Sequence, residues 1–466
     1  MSIRILEKFS DKVGISLWLK KENMAQKKII PASVEDILAR GGMTGFHKKV
    51  VLVTGLAWTF VSMEILLIAF TLPLFASIWK LSGLWLGLIG SASLIGSFIG
   101  SMILGRWSDR FGRRSVFMGS VLWYSIFTAA TAFATGPETL FVFRVLAGIG
   151  LGAMLVIDPS VLAEYLPPQN RGRYMVFLDF FWPIGNLLAL GLSYFFLERM
   201  NGDWRGLFLT AAFPAFLTFI IRFLIPETPF YLARIGKLAE AAKVLTLATG
   251  QKITAAMIKK EEVFKSAPIK DLFRGKLLKA TIVTLISWVV LNFSYYGLFI
   301  WLPQVLPVIQ NFRIGNIYTL LLLSVLAQFP GYLAAMWLVE AWGRKKTLTA
   351  FLILGGLSGL VFATTNSYVS FLTALFLVSF FNLGAWGAIY PYTVELFPTL
   401  LRGTAFGFAA EGMGKLTAIF GPLVFGYLLD KTGGVGISLV MVAAVMTVGG
   451  VAVGYLGPET KGRKLE

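Results

Sequence analysis

The 466-residue chain contains no cysteine, which excludes disulfide frameworks, thiolate metal sites and cysteine nucleophiles. It has one histidine, His47, and so no imidazole pair for zinc or haem. No Walker loop is present and no nucleophile–base pair is readable, so neither an ATPase nor a hydrolase is expected, and no metal or cofactor. Charge is also scarce: 14% of residues are Asp, Glu, Lys or Arg, against about 25% in a soluble protein. What is abundant is apolar. Residues of that type make up 56% of the chain, aromatics 14%, and there are 48 glycines. The mean hydropathy is +0.75. This is the composition of packed membrane helices.

Runs of 18 or more apolar residues read as spanning helices, because lipid leaves backbone polar groups no other partner. The sequence predicts twelve: 50–76, 84–104, 115–135, 138–164, 172–197, 205–225, 277–303, 316–340, 347–366, 368–397, 403–429 and 434–457. The expected architecture is all-α and polytopic, with two six-helix bundles over 50–225 and 277–457. An N-terminal arm (1–49), a central loop (226–276) and a short tail (458–466) complete it.

The net charge of +18 at first points to nucleic acid, but its placement decides otherwise. Of the 42 Lys and Arg, 34 fall in the arm, the tail, and the loops and helix ends on one face, against five in the opposite loops. By the positive-inside rule both termini are cytoplasmic and the protein is multi-pass in the plasma membrane. No basic soluble domain with interleaved aromatics is present, so no nucleic-acid partner is expected. In the arm, residues 3–21 mix apolar and basic side chains and are expected to lie on the anionic inner leaflet. No cleavable signal is expected in them, since the apolar core is too short and no small-residue cleavage site follows. Ser33 and Asp36 form a capping box for a short helix, and His47 beside Lys48 and Lys49 is expected at headgroup level.

The chain repeats itself. Asp109-Arg110-Phe111-Gly112-Arg113-Arg114 returns as Glu340-Ala341-Trp342-Gly343-Arg344-Lys345. Glu164, leading to Arg171-Gly172, returns as Glu395, leading to Arg402-Gly403, at the same offset of 231 residues. Pro-Glu-Thr recurs around Glu227 and Glu459, one residue out of that register. All three motifs fall at cytoplasmic helix ends, so the acids Asp109, Glu164, Glu227, Glu340, Glu395 and Glu459 are expected to meet the bases Arg113, Arg171, Arg344 and Arg402. Such a network would latch helix ends in one conformational state; the plainer reading is topological anchoring alone.

At these residues the chain resembles a known group. GRWSDRFGRR (105–114) and AWGRKK (341–346) are similar to the loop signatures of the major facilitator superfamily. RVLAGIGLG (144–152) resembles its fourth-helix motif, and PETPFYL (226–232) and PETKG (458–462) its sugar-porter signatures. NFSYYGLFIWLP (292–303) and FNLGAWGAIYPYTVELFPTLLRG (381–403) resemble the niacin-type and aromatic-acid metabolite:proton symporters and their synaptic-vesicle-2 and organic-ion relatives. The resemblance spans 45–466. It implies a monomeric secondary transporter in which two bundles rock around a central site.

Ionisable residues inside spans cost about 2.5–3.5 kcal/mol each on insertion scales and are functional candidates by default. Glu64 stands 14 residues into the first predicted span, about 21 Å along it. The resemblance pairs it with Arg144 of the fourth helix as a proton-coupling couple; the competing reading is a static buried ion pair. Asp179 in LDFFWPIGN is a second proton or gating candidate, and Asp158, six residues before Glu164, either joins the latch or stands apart from it. Glu411 and Lys415 are spaced i, i+4 with the acid first, the favourable order. The resemblance makes Lys415 the contact for an anionic substrate, unless Glu411 neutralises it. Polar and aromatic candidates for the cavity are Asn292, Tyr295, Tyr296, Gln328, Asn382, Trp386 and Tyr390, with packing as the alternative for each. Gly297, Pro303 and Pro391 are expected bend points.

The expected function is proton-coupled movement of a small organic anion by alternating access, with substrate, protons and the bilayer as the only partners. The sugar-porter double glutamine of the seventh helix is missing, which lowers a hexose, although a sugar or polyol porter remains the nearest rival. An organic-cation carrier using Asp179 or Glu411 is the next. A sensor that binds without translocating would be expected to carry a long signalling tail, and nine residues follow the last span.

Overall fold

The computed structural model describes residues 31–260, 268–275, 277–309 and 317–462. The predicted amphipathic segment 3–21 lies outside them. Among the described residues the chain is helical, with no strand beyond a single parallel bridge between Ala32 and Ile258. Ten helical stretches are long and apolar enough to cross a membrane. Two further crossings complete the twelve: α4 (Arg113–Thr131), and a span broken into α8 (Trp204–Ala211), a 3-10 turn at Phe213–Phe216 and α9 (Leu217–Leu224). Pro214 interrupts the latter, since it brings no N–H to the ladder. The fold is therefore the two six-helix bundles of the expected class. Side chains such as Phe223, Val448 and Tyr455 stand outward on its apolar girdle.

Within the first bundle, α2 (Gly45–Trp79), α3 (Gly83–Phe111), α4 and α5 (Pro137–Tyr165) form the inner packing. The contact between α3 and α5 is backbone on backbone. Gly96 and Gly100 of α3 lie on the carbonyls of Val145 and Ile149, and Gly148 and Gly152 of α5 on those of Ser93 and Ser97. These are interlocked small-xxx-small pairs, which bring helices together where no hydrophobic effect operates between them.

The basic end is tied by residues of the repeat. Arg113 bridges Asp109 (2.7 Å) and Glu164 (3.0 Å), while Arg344 bridges Glu340 (2.8 Å) and Glu395 (3.0 Å). The two Pro-Glu-Thr carboxylates cap helices. Glu227 accepts the N–H of Arg114 at 3.1 Å, at the start of α4. Glu459 accepts those of Arg344, Lys345 and Lys346 at 2.9–3.4 Å, at the start of α15 (Arg344–Thr364). Gly112 and Gly343 turn into these helices at φ of 98° and 113°, and a Cβ at either would collide with the capping carboxylate. Two arginines depart from the expected network. Arg171 pairs with Glu35 of α1 (Val34–Gly41) at 3.2 Å, and Arg402 donates to the carbonyls of Val394 and Phe397. The bases adjoining the tight glycine turns reach the acids first. No ion pair among the described residues joins one bundle to the other, so each cluster holds helix ends within its own half.

Ser33 caps α1 as expected, accepting the N–H of Asp36 at 3.1 Å. His47 does not sit among headgroups. It is fully buried, takes the Thr44 N–H on Nδ1 and contacts the Tyr165 carbonyl through Nε2 at 3.1 Å. The central loop adds α10 (Pro229–Arg234) and α11 (Leu238–Thr249), and α11 packs on α1.

The two capping carboxylates predict opposite pH effects. Burial raises Glu459, but the backbone N–H groups it accepts outweigh this and hold it below the usual carboxylate range. Its stabilising contribution is therefore present above the unfolded value of about 4.3 and lost as pH falls through the folded one. For Glu227 burial wins and the carboxyl is raised, so its contribution is present at low pH and fades as pH rises through the folded value. Thermal unfolding in detergent checks this. Glu459→Gln should flatten the acid limb below about pH 5, and Glu227→Gln should not.

Candidate functional site

The site is built where spans break. The fifth crossing stops as α6 (Pro168–Asp179) and restarts as α7 (Trp182–Ser193), with Pro183 in the first turn of the new helix. Two carbonyls at the break are satisfied from α2: Thr59 donates to Phe181 O at 3.3 Å and Ser62 to Trp182 O at 2.8 Å. The break brings Asp179 and Trp182 to one wall. The seventh crossing breaks likewise between α12 (Leu277–Phe299) and α13 (Leu302–Ile309), with Pro303 at the restart, whereas Gly297 stays helical. In the eleventh crossing, α17 (Thr399–Phe406) passes through a π-helical stretch, Gly407–Gly414, before α18 (Lys415–Thr432). Such stretches concentrate at functional sites, and this one carries Glu411 directly to Lys415. Pro391 is accommodated inside an unbroken α16 (Tyr368–Leu396).

Between the halves lies a cavity lined by residues of both. Trp58, Asp179 and Trp182 line it from the first half, and Trp288, Asn292, Tyr295, Tyr296, Trp386, Tyr390, Glu411 and Lys415 from the second. Its walls are rich in aromatic rings. Trp288 packs edge-on to Trp386 (5.7 Å) and Tyr390 (5.2 Å), and Trp182 donates from Nε1 to the Tyr295 hydroxyl at 2.7 Å across the two halves. The indole nitrogens of Trp58 and Trp386 are buried without a partner among the described residues. Lys415 is paired with Glu411. The arrangement suits a flat organic molecule carrying a charged group.

The halves close at the end away from the charge clusters. There Asp430 of α18 takes the N–H groups of Gly83 (2.6 Å) and Leu84 (2.8 Å) of α3, and Ser91 donates to Ile419 O at 2.8 Å. Gly87 packs on the Pro422 carbonyl and Gly426 on that of Gly83. Asn186 meets Gln328 at 2.8 Å across the same interface.

Glu64 and Arg144 form a fully buried pair at 3.3 Å that is not part of the cavity lining. Thr128 donates to the same Glu64 oxygen at 2.8 Å, Arg144 Nη2 donates to the Glu64 carbonyl at 2.7 Å, and the guanidinium stands 5.4 Å over the Phe208 ring.

Residues 40–466 match the family described as sugar (and other) transporter. The chain belongs to that family. The niacin transporter NiaP of Acinetobacter baylyi is 33% identical over 425 residues, covering 90% of this chain and 96% of that one. The synaptic vesicle 2-related protein of Xenopus laevis is 27% identical, with 93% and 82% covered. Among solved structures, the xylose transporter XylE of E. coli in a partially occluded inward-open conformation aligns with a TM-score of 0.76 at 20% identity, over 91% of this chain and all of that one. The protein is thus a multi-pass secondary transporter of a small solute in the major facilitator superfamily, and its relatives are transporters rather than enzymes.

Of the residues singled out from sequence, the transporter brings Asp179, Asn292, Tyr295, Tyr296, Trp386, Tyr390, Glu411 and Lys415 to the cavity. It does not bring Gln328 or Asn382 there. Gln328 is spent on Asn186 at the closed end, and Asn382 lies inside the second bundle, 3.4 Å from Ser294. Trp58, Trp182, Trp288 and Tyr332 were not singled out and line the cavity. A signal for three of them existed: tryptophan favours the membrane interfaces, and these three sit within spans.

Proposed function

We propose that this transporter moves a small organic anion with an aromatic or similarly flat body across the plasma membrane, coupled to protons, by alternating access. The observation that carries the reading is Lys415, a nine-tenths-buried cation on an aromatic-rich cavity between the two halves, whose ion pair with Glu411 the substrate's anionic group would share or displace. The relative named as a niacin transporter supports the same substrate class. Glu64 is the proton carrier in this reading, exchanging its proton against the charge of Arg144 as the halves rock. The transporter is a monomer with both termini cytoplasmic, and its bundles at 50–225 and 277–457 move as units. The clusters around Arg113 and Arg344 hold the helix ends of each unit together.

The experiment is uptake into liposomes under an inward proton gradient, with labelled nicotinate, benzoate, glucose and choline offered in parallel. Lys415→Ala should cut uptake of the acid at least about tenfold, the scale of one lost charge-assisted contact. Glucose uptake insensitive to this variant would replace the anion reading with a sugar porter. A specific observation favours a third outcome: Asp179 lines the cavity with no ion pair among the described residues, and a choline-type substrate dependent on Asp179 would make the protein a cation carrier.

A further inference from the structure

The first bundle contains a second buried carboxyl that neither the cavity nor the charge clusters use. Asp158 on α5 is fully buried, and neither of its oxygens has a hydrogen-bond partner among the described residues. It does not join Glu164, whose oxygens are taken by Arg113 and Thr228. An unpartnered buried polar group calls for a reason, and here there are several together. On α4, Ser120, Tyr124 and Thr128 recur every four residues and so form one stripe. Thr128 is bonded to Glu64, whereas the hydroxyls of Ser120 and Tyr124 are buried without partners among the described residues. Gly150 of α5 lies directly on Ser120 and Tyr124. It stands between Arg144 and Asp158 on the same helix, so the stripe runs from the Glu64 pair towards the level of Asp158. The Tyr124 hydroxyl is within electrostatic reach of both carboxyls. The span between Arg144 and Asp158 is about 21 Å at 1.5 Å per residue, and the Tyr124 backbone packs near its middle, at Gly150.

The charged and titratable groups around this line are few. Glu64 comes from α2, Tyr124 from α4, and Arg144 and Asp158 from α5 itself; Arg113, Glu164 and Tyr165 close the basic end. From Gly83 to Gly105, α3 carries no charge and packs its Ser93 and Ser97 backbone against Gly148 and Gly152.

We propose that Asp158 and Tyr124 form a proton path through the interior of the first bundle, joining Glu64 to the basic face without passing through the substrate cavity. A proton leaving the Glu64 carboxyl is accepted by the Tyr124 hydroxyl as that hydroxyl gives up its own. The released proton ends on Asp158, with water bridging the gaps. Glu64 is left ionised beside Arg144 and Asp158 is left neutral, so one proton has moved and no other bond has changed. Asp158 then loses the proton to the basic side. This inference rests on Glu64 being the proton carrier.

The test uses liposomes holding the wild type, Asp158→Asn, Asp158→Glu or Tyr124→Phe, supplied with whichever of nicotinate, benzoate, glucose and choline the wild type carries. Gradient-driven net uptake and substrate counterflow are measured side by side. Asp158→Asn should lose about 100-fold in net uptake, the scale of one lost proton-transfer group, with counterflow within twofold. Asp158→Glu should restore net uptake, and Tyr124→Phe should lower it with counterflow intact. Counterflow also reports that each variant is folded. Net uptake by Asp158→Asn at the wild-type rate would overturn the path alone. A fall of counterflow in step with net uptake, unrescued by Asp158→Glu, would overturn it in favour of a structural role. A wild type indifferent to the proton gradient would overturn the coupling reading itself, and the path with it.

Discussion

Gly152→Leu is expected to prevent stable folding. The glycine sits on the backbone of Ser97, where even a Cβ would lie inside the van der Waals contact of the Ser97 carbonyl. Overpacking a core costs about 1–3 kcal/mol when neighbouring side chains can shift. Here the neighbour is a helix backbone, which cannot. The α3–α5 contact would have to open along its length, taking with it the matching contacts of Gly96, Gly100 and Gly148. The loss should exceed about 3 kcal/mol, enough to remove most folded protein from a marginally stable chain. Thermal unfolding in detergent and the yield of monodisperse protein measure it. Gly119→Leu is the control: nothing lies within 4 Å of a Cβ at Gly119, and the helix there should tolerate or gain from the change. A Gly152→Leu protein with wild-type melting would mean that the two helices do not meet backbone to backbone.

Glu64→Gln should separate coupling from movement. The amide keeps a side-chain oxygen within reach of Thr128 and Arg144, but it can neither take nor release a proton. Uphill accumulation should collapse to equilibration, while exchange of labelled for unlabelled substrate continues. In energetic terms the variant forfeits the whole contribution of the proton gradient, about 1.4 kcal/mol for each tenfold difference in proton concentration. Arg144 is left as a buried cation without its counter-charge, so some loss of stability is also expected. Unaltered uphill uptake would end the assignment of Glu64 as the coupling carboxyl.

The repeat was the most legible part of the chain. An offset of 231 residues between Asp109 and Glu340 placed matched acids and bases at one end of the helices, and Arg113 and Arg344 do make equivalent bridges there. The choice among arginines was not legible. Arg171 and Arg402 carry the same type of charge at the same spacing, and only the path of the chain beyond the glycine turns decides which base reaches Glu164 or Glu395. The breaks in the fifth, seventh and eleventh crossings were hidden for a related reason. Hydropathy sees continuous apolar runs, whereas the interruption before Trp182 is held open by hydroxyls of Thr59 and Ser62 more than a hundred residues away. Gln328 and Asn382 show the limit of reading polarity alone. A buried amide must find a partner, and the partner may as well be protein as substrate.

The separation of the Glu64 pair from the aromatic cavity has an electrical consequence. With one proton carried on Glu64 per substrate, as proposed, the current per turnover is the sum of that proton and whatever valence the substrate brings. A monovalent acid carried with a single proton on Glu64 moves no net charge, and the membrane voltage then neither drives nor opposes it. A neutral solute in the same cavity would carry one positive charge inward and gain about 2.3 kcal/mol per 100 mV. On that coupling, the voltage dependence of transport is a reporter of the substrate's charge.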